Sequence, residues 1–328
     1  MKNKLKRFIQ GQAGYEEVLR ETARRCGVSE GAIRRDCFLS RVLYGFEPDE
    51  YVAFELYRRS GREKKQFLSA RRSQEIQKAL NRAPEEELRL INEKHLFNRA
   101  YGAFIRRGWV YVPESGPEEL RALLEGEEAV IVKPTAQRRG EGVRRVESSG
   151  ALADYDSFYR ETLADRSLVE AFVRQHPDLA AVNPTSVNTI RACTVRSPAG
   201  EVCLFAASLR GGGAGSVIDN LHAGGVQYPI DVKTGLITRG GVKFDGERNI
   251  LFHPSTGKQM IGFRIPHWEE VRRTVTEAAR IPEHIRYVGW DVAVTEEGCE
   301  LIEANLSQGR NGMQADGVGK YAIVKQYL

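Results

Sequence analysis

The feature that most constrains the fold is the stretch "GWDVAVTEEGCELIEANLSQG", residues 289–309. β-Branched and apolar residues mark two short strands in it. Glu296-Glu297-Gly298 separates them as a three-residue hairpin loop, with glycine in the left-handed position that such loops favour. The predicted cross-strand pairs are Thr295–Cys299, Ala293–Leu301 and Asp291–Glu303.

Three oxygen-bearing side chains are predicted to meet at one end of this hairpin. Because side chains alternate along a strand, Glu303 and Asn305 share a face, and cross-strand pairing brings Asp291 to the same face. Facing carboxylates repel each other unless a cation lies between them. A small set of oxygen ligands suits Mg²⁺, which completes its shell with water and substrate phosphates. We therefore predict a magnesium site; the alternative is a pair of solvent-exposed acids on an edge hairpin.

A magnesium site of this kind implies phosphates, and "AVIVKPTAQRRGEGVRRV" provides a candidate cradle for them. The chain has no GxxxxGK[ST], which excludes a P-loop. Instead, a strand ends at Lys133, a turn carries Gly140 and Gly142, and a second strand returns. Glycines expose backbone N–H groups to anionic oxygens, Lys133 supplies a charge, and Arg138 and Arg139 add more at the tip. We call this hairpin the flap; the alternative is an ordinary hairpin.

Composition narrows the class of protein. No window approaches the roughly 18 apolar residues of a membrane span, and the basic N-terminus lacks the apolar core of a signal peptide, so we expect a soluble, cytoplasmic protein. Five cysteines without a CxxC pair predict reduced structural thiols rather than zinc or disulfides. The net charge of +5 suits a polyanionic ligand such as a nucleotide, but it is too small to predict nucleic-acid binding.

Local patterns divide the chain into a helical leader and a mixed region. Residues 1–90 are rich in Leu, Ala, Glu, Lys and Arg, with apolar residues at three-to-four spacing and an interruption at Gly61. After Gly108, short runs of β-branched and apolar residues predict strands, and amphipathic stretches between them predict helices. The overall class is therefore α+β.

In this order, several motifs resemble the ATP-grasp superfamily. They are "VKP" with its glycine-containing turn, the strand "SLVEAFV", and "WDVAVTEEGCELIEAN", which resembles the metal-binding segment of D-alanine–D-alanine ligases and ribosomal-protein glutamate ligases. More narrowly, "LVEAFVRQHPDLAAVNPTSVNTIRACT", "HPSTGKQMIGFRIPHW" and "GWDVAVT" are similar to the sugar-transfer-associated ATP-grasp group, encoded near polysaccharide and cell-surface biosynthesis genes. The resemblance covers about Asn92 to Asn311.

The resemblance implies an ATP-grasp fold, in which two α+β subdomains grip ATP, preceded by an N-terminal helical extension. Residues 1–90 would be the extension, 91–165 the N-terminal lobe with the flap, and 166–328 the C-terminal lobe with the metal site. The extension has no counterpart in the minimal ligases. Two roles stay open for it: covering the acceptor site or mediating association.

Phosphate contacts follow from the resemblance at matching positions. Lys94 and Lys133 would contact the α- and β-phosphates, and the flap residues Arg139, Gly140 and Gly142 would close over them.

Contacts to the nucleoside are implied in the same way. Glu170 would accept from the adenine amino group, the backbone around Phe172 and Val173 would pair with the ring edge, and His176, or Gln175 beside it, would lie near the ribose.

The resemblance also implies reacting and metal-binding positions. Arg191 would face the γ-phosphate or the acylphosphate, and Arg310 and Asn220 would face the transferring phosphate and the acceptor. The implied magnesium ligands are the predicted three, Asp291, Glu303 and Asn305.

Taken alone, these residues have simpler interpretations. Glu170 is equally a strand-end surface acid, and Lys94 an ordinary solvated lysine of an amphipathic helix. His176 is more often a hydrogen-bonding loop residue. Arg191 lies in an apolar strand and needs an anionic partner, so a structural carboxylate is the alternative to a phosphate.

The implied function is that of an ATP-dependent carboxylate–amine ligase acting through an acylphosphate. Its cofactors would be ATP and one or two Mg²⁺ ions, with Mn²⁺ as the alternative ion. Its partners would be small-molecule or peptide carboxylates and amines, not nucleic acid. The alternatives are a phosphotransferase that acts on a hydroxyl and a non-catalytic nucleotide-binding module.

Overall fold

The computed structural model describes residues 15–135, 142–212, 225–243 and 247–328. Over these ranges the chain forms two antiparallel sheets surrounded by helices, which confirms the mixed α+β class. The helices are α1 (15–26), α2 (Glu30–Tyr44), α3 (Pro48–Ala53), α4 (Gly61–Lys64), α5 (Ala70–Leu80), α6 (Glu85–Asn92), α7 (Lys94–Ala100), α8 (Pro117–Gly126), α9 (Ser148–Ala153), α10 (Tyr155–Ala164), α11 (Pro177–Ala180), α12 (Trp268–Ala278), α13 (Arg310–Met313) and α14 (Tyr321–Lys325). The strands are β1 (Trp109–Tyr111), β2 (Ala129–Pro134), β3 (Arg144–Glu147), β4 (Ser167–Ala171), β5 (Thr189–Arg196), β6 (Val202–Gly211), β7 (Val226–Ile230), β8 (Gly241–Lys243), β9 (Arg248–Ile250), β10 (Tyr287–Thr295) and β11 (Gly298–Asn305).

The smaller sheet has four strands in the order β1-β4-β2-β3. Strand β4 lies inside it and is buried along its whole length, because it pairs with β1 on one side and β2 on the other. Its continuous apolar run reflects this position. Leu120 and Leu124 of α8 and Phe158 of α10 pack on the sheet in one apolar cluster.

The larger sheet has seven strands in the order β11-β10-β5-β6-β7-β8-β9. Helix α12 covers one face, where Val271 and Val275 join a cluster with Trp290 and Val292 of β10. Strand β10 lies between β11 and β5, which places Asp291 beside both neighbours.

The β10–β11 hairpin corrects one part of the predicted register. Its loop has two residues, because Thr295 pairs with Gly298 and Val294 pairs with Cys299. Gly298 has a φ of 140° and belongs to the strand, not to the loop. A bulge at Ile302 then absorbs one residue, since Val292 pairs with Leu301 and Asp291 pairs with Glu303. The predicted Asp291–Glu303 pair is therefore confirmed, whereas the predicted Thr295–Cys299 and Ala293–Leu301 pairs are wrong.

Serine caps divide the leader into short helices. Ser29 caps α2, and Ser60 forms a reciprocal capping box with Glu63 at the start of α4. Gly61, which the sequence marks as an interruption, is the first residue of α4.

The leader packs on the C-terminal segment that follows β11. The Leu68 N–H donates to Gln314 Oε1 (2.8 Å), and Gln314 Nε2 donates back to the Leu68 carbonyl (3.2 Å). The Tyr321 N–H donates to the Gln66 carbonyl (2.8 Å). Ile76 of α5 lies in one buried cluster with Tyr287 of β10. The leader and the larger sheet therefore share a core.

None of the helices within the described ranges combines the length and the apolar character needed to span a bilayer.

Candidate active site

A cleft of about 710 Å³ lies between the smaller sheet and strand β11. Helices α6 and α7 form one wall, β2 and β4 another, and the end of β11 a third. Its polar lining includes Lys94, Asn98, Lys133, Glu170, Glu303 and Asn305. Five predicted site residues therefore line one cavity.

Asp291, Glu303 and Asn305 meet at the end of the β10–β11 hairpin. Asn305 Nδ2 lies 3.0 Å from Glu303 Oε1 and 3.5 Å from Asp291 Oδ2. A half-turn of the Asn305 side-chain amide exchanges its oxygen and nitrogen, and would point the oxygen toward the two carboxylates. Two carboxylates and an amide oxygen fit a Mg²⁺ ion that takes its other ligands from phosphates and water. Across the parts of the chain that the structure describes, no cluster of three or more His, Cys, Asp and Glu side chains could hold a metal.

Asp291 is buried between two arginines. Arg191 of β5 reaches it with Nε–Oδ1 and Nη2–Oδ2 distances of 2.5 and 3.0 Å, and Arg210 of β6 lies 2.8 Å from Oδ2. Burial alone would raise the pKa of Asp291, but Arg191 and Arg210 lower it to about 2. The structural carboxylate that the sequence allowed for Arg191 is therefore Asp291. The guanidinium therefore lies beside the predicted metal site, and its contact with a phosphate stays a prediction.

The pKa of Glu303 is shifted in the opposite direction to that of Asp291. Burial and the neighbouring negative charge of Asp291 raise the pKa of Glu303. A cation bound between the two carboxylates would favour the ionised form of Glu303.

Glu170 and Lys133 form an ion pair at the back of the cleft. Lys133 Nζ contacts Glu170 Oε2, while Glu170 Oε1 accepts from Asn98 Nδ2 and Arg107 Nη2, both at 2.8 Å. Burial would raise the pKa of Glu170, but Arg107 and Lys133 hold it well below its ordinary range. Both carboxylate oxygens are therefore engaged. The surface-acid interpretation of Glu170 is wrong, because its side chain is only 2% exposed.

Lys94 begins α7 and faces the same cleft. It lies four residues before Asn98, so the two side chains share one face of the helix. Burial and the positive charge of Lys133 lower the pKa of Lys94, while Glu303 and Glu170 oppose that shift. A phosphate between Lys94 and Lys133 would relieve their repulsion.

The residues predicted to contact the nucleoside have different surroundings. The Phe172 N–H donates to the Ala129 carbonyl (3.1 Å), so a ring edge would have to pair with other groups of the segment after β4. Val173 is buried next to it. His176 caps α11 by accepting from the Asp178 N–H (3.1 Å), and it is not part of the cleft lining.

The remaining predicted residues lie outside the cleft or outside the described chain. Arg310 Nε lies 2.7 Å from Oε1 of Glu50, a buried acid of α3. Gly142 has a φ of 72°, a left-handed conformation suited to glycine. Arg139 and Gly140 of the flap and Asn220 fall outside the described residues.

Comparison with known families decides the relationship. The family model for sugar-transfer associated ATP-grasp proteins matches residues 114–321. The chain belongs to this family. The expected ATP-grasp fold with an N-terminal helical extension is thereby confirmed. No curated protein matches the sequence.

Among solved structures, the sugar-transfer associated ATP-grasp chain is distantly similar to three enzymes. For the ATP-grasp ligase PsnB, complexed with a phosphomimetic variant of its minimal precursor, Mg and ADP, the identity is 14%, the TM-score 0.43, and the coverage 74% of this chain and 58% of that one. For biotin carboxylase of Campylobacter jejuni the identity is 14%, the TM-score 0.48, and the coverage 74% of this chain and 46% of that one. For D-alanine–D-alanine ligase of Coxiella burnetii the identity is 12%, the TM-score 0.39, and the coverage 69% of this chain and 50% of that one. The similarity therefore spans about half the length of each of these structures.

Four side chains at the site were not singled out from the sequence: Asn98, Arg107, Arg210 and Glu300. Arg107 is the second residue of the pair Arg106-Arg107, and nothing local in the sequence marks it as buried. The signal that could have found Arg210 is its place near the end of an apolar strand, the same argument that singled out Arg191.

Proposed function

We propose that this ATP-grasp protein is a Mg-ATP-dependent ligase that joins a carboxylate to an amine through an acylphosphate. The observation that carries the proposal is the meeting of two kinds of group in one cleft. Lys94 and Lys133 supply positive charge on one side, and Glu303 and Asn305, next to Asp291, supply oxygen ligands on the other. Lysines suit nucleotide phosphates, and the oxygen cluster suits the magnesium ion that bridges them.

Each group has a part in binding. Asp291, Glu303 and Asn305 would hold the magnesium, which supplies neutralising charge to phosphate oxygens. Lys133 and Lys94 would bind the phosphates directly. Arg191, with Arg210, keeps Asp291 ionised and fixed in place, because a buried carboxylate between two guanidinium groups is strongly favoured in its charged form.

The reaction needs no covalent link to the protein. A carboxylate oxygen of the substrate attacks the γ-phosphorus and ADP leaves, which gives an acylphosphate. An amine then attacks the acyl carbon, phosphate leaves with the C–O bonding electrons, and the amine loses a proton. The chain contributes position and charge, so neither a Ser–His nor a Cys–His pair is required.

We further propose that residues 1–90, 91–165 and 166–328 act as extension, flap-bearing lobe and metal-bearing lobe. We place the reaction in the cytoplasm, in the biosynthesis of a cell-surface polysaccharide or a peptide-type metabolite. Membership of the sugar-transfer associated family supports the part of this proposal that concerns polysaccharide biosynthesis.

Calorimetry tests the nucleotide site. The wild-type protein should bind ATP in the presence of Mg²⁺, and Glu303→Ala should lose at least about tenfold in affinity, because a magnesium ligand is removed. Glu296→Ala is the matched control, since Glu296 is an exposed acid in the loop of the same hairpin. Equal binding by Glu303→Ala and wild type would contradict the proposal.

A substrate screen tests the chemistry. Amino acids and amino sugars are incubated with Mg-ATP, and phosphate release is measured. A ligase releases inorganic phosphate and forms a hydroxamate when hydroxylamine replaces the amine. A phosphotransferase produces ADP and a phosphorylated substrate with no hydroxamate, and a binding module produces neither.

A further inference from the structure

The ion pair between Lys133 and Glu170 is one part of a larger buried cluster. Arg107, in the segment between α7 and β1, uses one guanidinium nitrogen on Glu170 and the other on Glu300 of β11, each at 2.8 Å. The Arg107, Glu170 and Glu300 side chains are only 3%, 2% and 3% exposed. The cluster therefore connects the smaller sheet to the larger sheet.

Several hydrogen bonds hold Arg107 to strand β11. Glu300 Oε2 also accepts from the backbone N–H groups of Arg106 and Arg107, at 3.1 and 3.3 Å. Arg107 Nη1 donates in addition to the Leu301 carbonyl (2.8 Å). Arg107 is thus held by β11 independently of Glu170.

Charge is balanced in this cluster: Glu170 and Glu300 carry two negative charges, and Arg107 and Lys133 carry two positive charges. Lys133 and Glu170 both line the cleft, and Lys133 is the most exposed side chain of the cluster, at 15%. If Lys133 turned toward a phosphate, Glu170 would keep two donors, Arg107 and Asn98. The carboxylate would not become an unpaired buried charge, which is the costly outcome.

We propose that Arg107 is a positioning residue of the nucleotide site, which holds Glu170 so that Lys133 can leave it for a phosphate. Lys133 rests on Glu170 in the free protein and moves to the nucleotide when ATP or ADP binds. Arg107 touches neither ligand and acts through Glu170. This inference rests on the proposed nucleotide-binding function.

Two variants should change the strength of the Lys133–Glu170 ion pair in opposite directions. Arg107→Gln with Glu300→Gln removes one charge of each sign and leaves Lys133 as the only cation on Glu170. Glu300→Gln alone leaves both cations with a single acid, so their repulsion favours departure of Lys133. A change of fold or packing alone would not give effects of opposite sign.

The experiment measures the affinity of each protein for Mg-ADP and for adenosine by calorimetry, with thermal unfolding as the check on folding. In the Arg107→Gln/Glu300→Gln variant, Mg-ADP should bind about tenfold more weakly while adenosine changes less than about twofold, because only the phosphates compete for Lys133. In Glu300→Gln, Mg-ADP should bind about threefold more tightly. The control is Arg272→Gln/Glu269→Gln, which removes an exposed pair of α12 at 2.8 Å and should change neither affinity.

The outcomes separate this inference from the proposed function. Equal losses for both ligands, or no loss, in the double variant overturn the role of Arg107 and leave the nucleotide site standing. If the double variant does not fold, Glu300→Gln decides: unchanged or weaker Mg-ADP binding overturns the role. If the wild-type protein binds neither ligand, the proposed function and this inference both fail.

Discussion

Arg191 of β5 and Asp291 of β10 lie directly opposite each other in the larger sheet, and their side chains form a two-point ion pair of 2.5 and 3.0 Å. The pair is largely buried, with side-chain exposures of 11% and 5%. Arg210 approaches the same carboxylate at 2.8 Å, so Asp291 contacts two guanidinium groups. The stability of this part of the sheet therefore depends on the charge of Asp291.

Asp291→Asn removes that charge, so the buried Arg191 loses the two-point ion pair with its cross-strand partner and Arg210 loses its contact with the same carboxylate. We expect the free energy of unfolding to fall by about 3–5 kcal/mol, the range for breaking a buried ion pair. Urea unfolding followed by circular dichroism measures it. Glu297→Gln, an exposed acid in the hairpin loop, is the control. A loss below about 1 kcal/mol would show that the arginines find other partners.

Glu50 of α3 and Arg310 of α13 connect the leader to the C-terminal segment at 2.7 Å. A double-mutant cycle with Glu50→Gln and Arg310→Gln should give a coupling energy of roughly 1–2 kcal/mol, because Glu50 is buried. The same cycle on Glu55 and Arg58, a more exposed pair 3.6 Å apart, should give less than about 0.5 kcal/mol. Similar coupling in both pairs would argue that the Glu50 contact contributes little.

Gly319 is in close contact with the leader. A Cβ there would come within 2.3 Å of the Gln66 backbone. Gly319→Ala should therefore lower the free energy of unfolding by about 1–3 kcal/mol through overpacking. Gly102→Ala, where a Cβ meets nothing within 4 Å, should be neutral or stabilising by about 0.5 kcal/mol. Thermal unfolding compares the two, and an unchanged midpoint for Gly319→Ala would contradict the contact.

His253 predicts a pH dependence. Burial lowers the pKa of its imidazole, so the folded state favours the neutral ring. The unfolded chain takes up a proton near pH 6.5, so the stability associated with the neutral ring is present above about pH 6.5 and is lost as the pH falls toward the folded value. Urea unfolding at about pH 7.5 and about pH 5.5 should show this loss, and His253→Gln should reduce it.

His284→Gln is the control for that measurement, since His284 lies at the surface next to Glu87. We expect His284→Gln to retain the larger part of the loss between the two pH values. Equal pH dependence in His253→Gln and wild type would contradict the assignment to His253.

The sequence was most informative where local patterns decide the structure. Strand alternation placed Glu303 and Asn305 on one face, and the pairing with Asp291 followed. The loop length was wrong by one residue, because the chain closes Thr295 on Gly298 and recovers the register only at Ile302. Alternation cannot predict a bulge, because a bulge depends on how the strand meets its neighbours.

Arg107 shows the other limit of local reasoning. In "FIRRG" nothing distinguishes a buried arginine from a solvated one. Its partners Glu170 and Glu300 lie 63 and 193 residues away in the chain, so its burial depends on how the two sheets meet. The positions of Arg210 and Arg310 depend in the same way on long-range contacts.

The hydrogen bonds between the leader and the C-terminal segment limit how homologues can be recombined. The Gln66 carbonyl accepts from the Tyr321 N–H, and the Leu68 backbone bonds to the Gln314 side-chain amide, so a transplanted leader would need the C-terminal segment that matches it. A chimera that takes both ends from one parent should assemble. A chimera that takes the leader from one parent and the C-terminal segment from another would leave backbone N–H and carbonyl groups at this contact without well-placed hydrogen-bond partners.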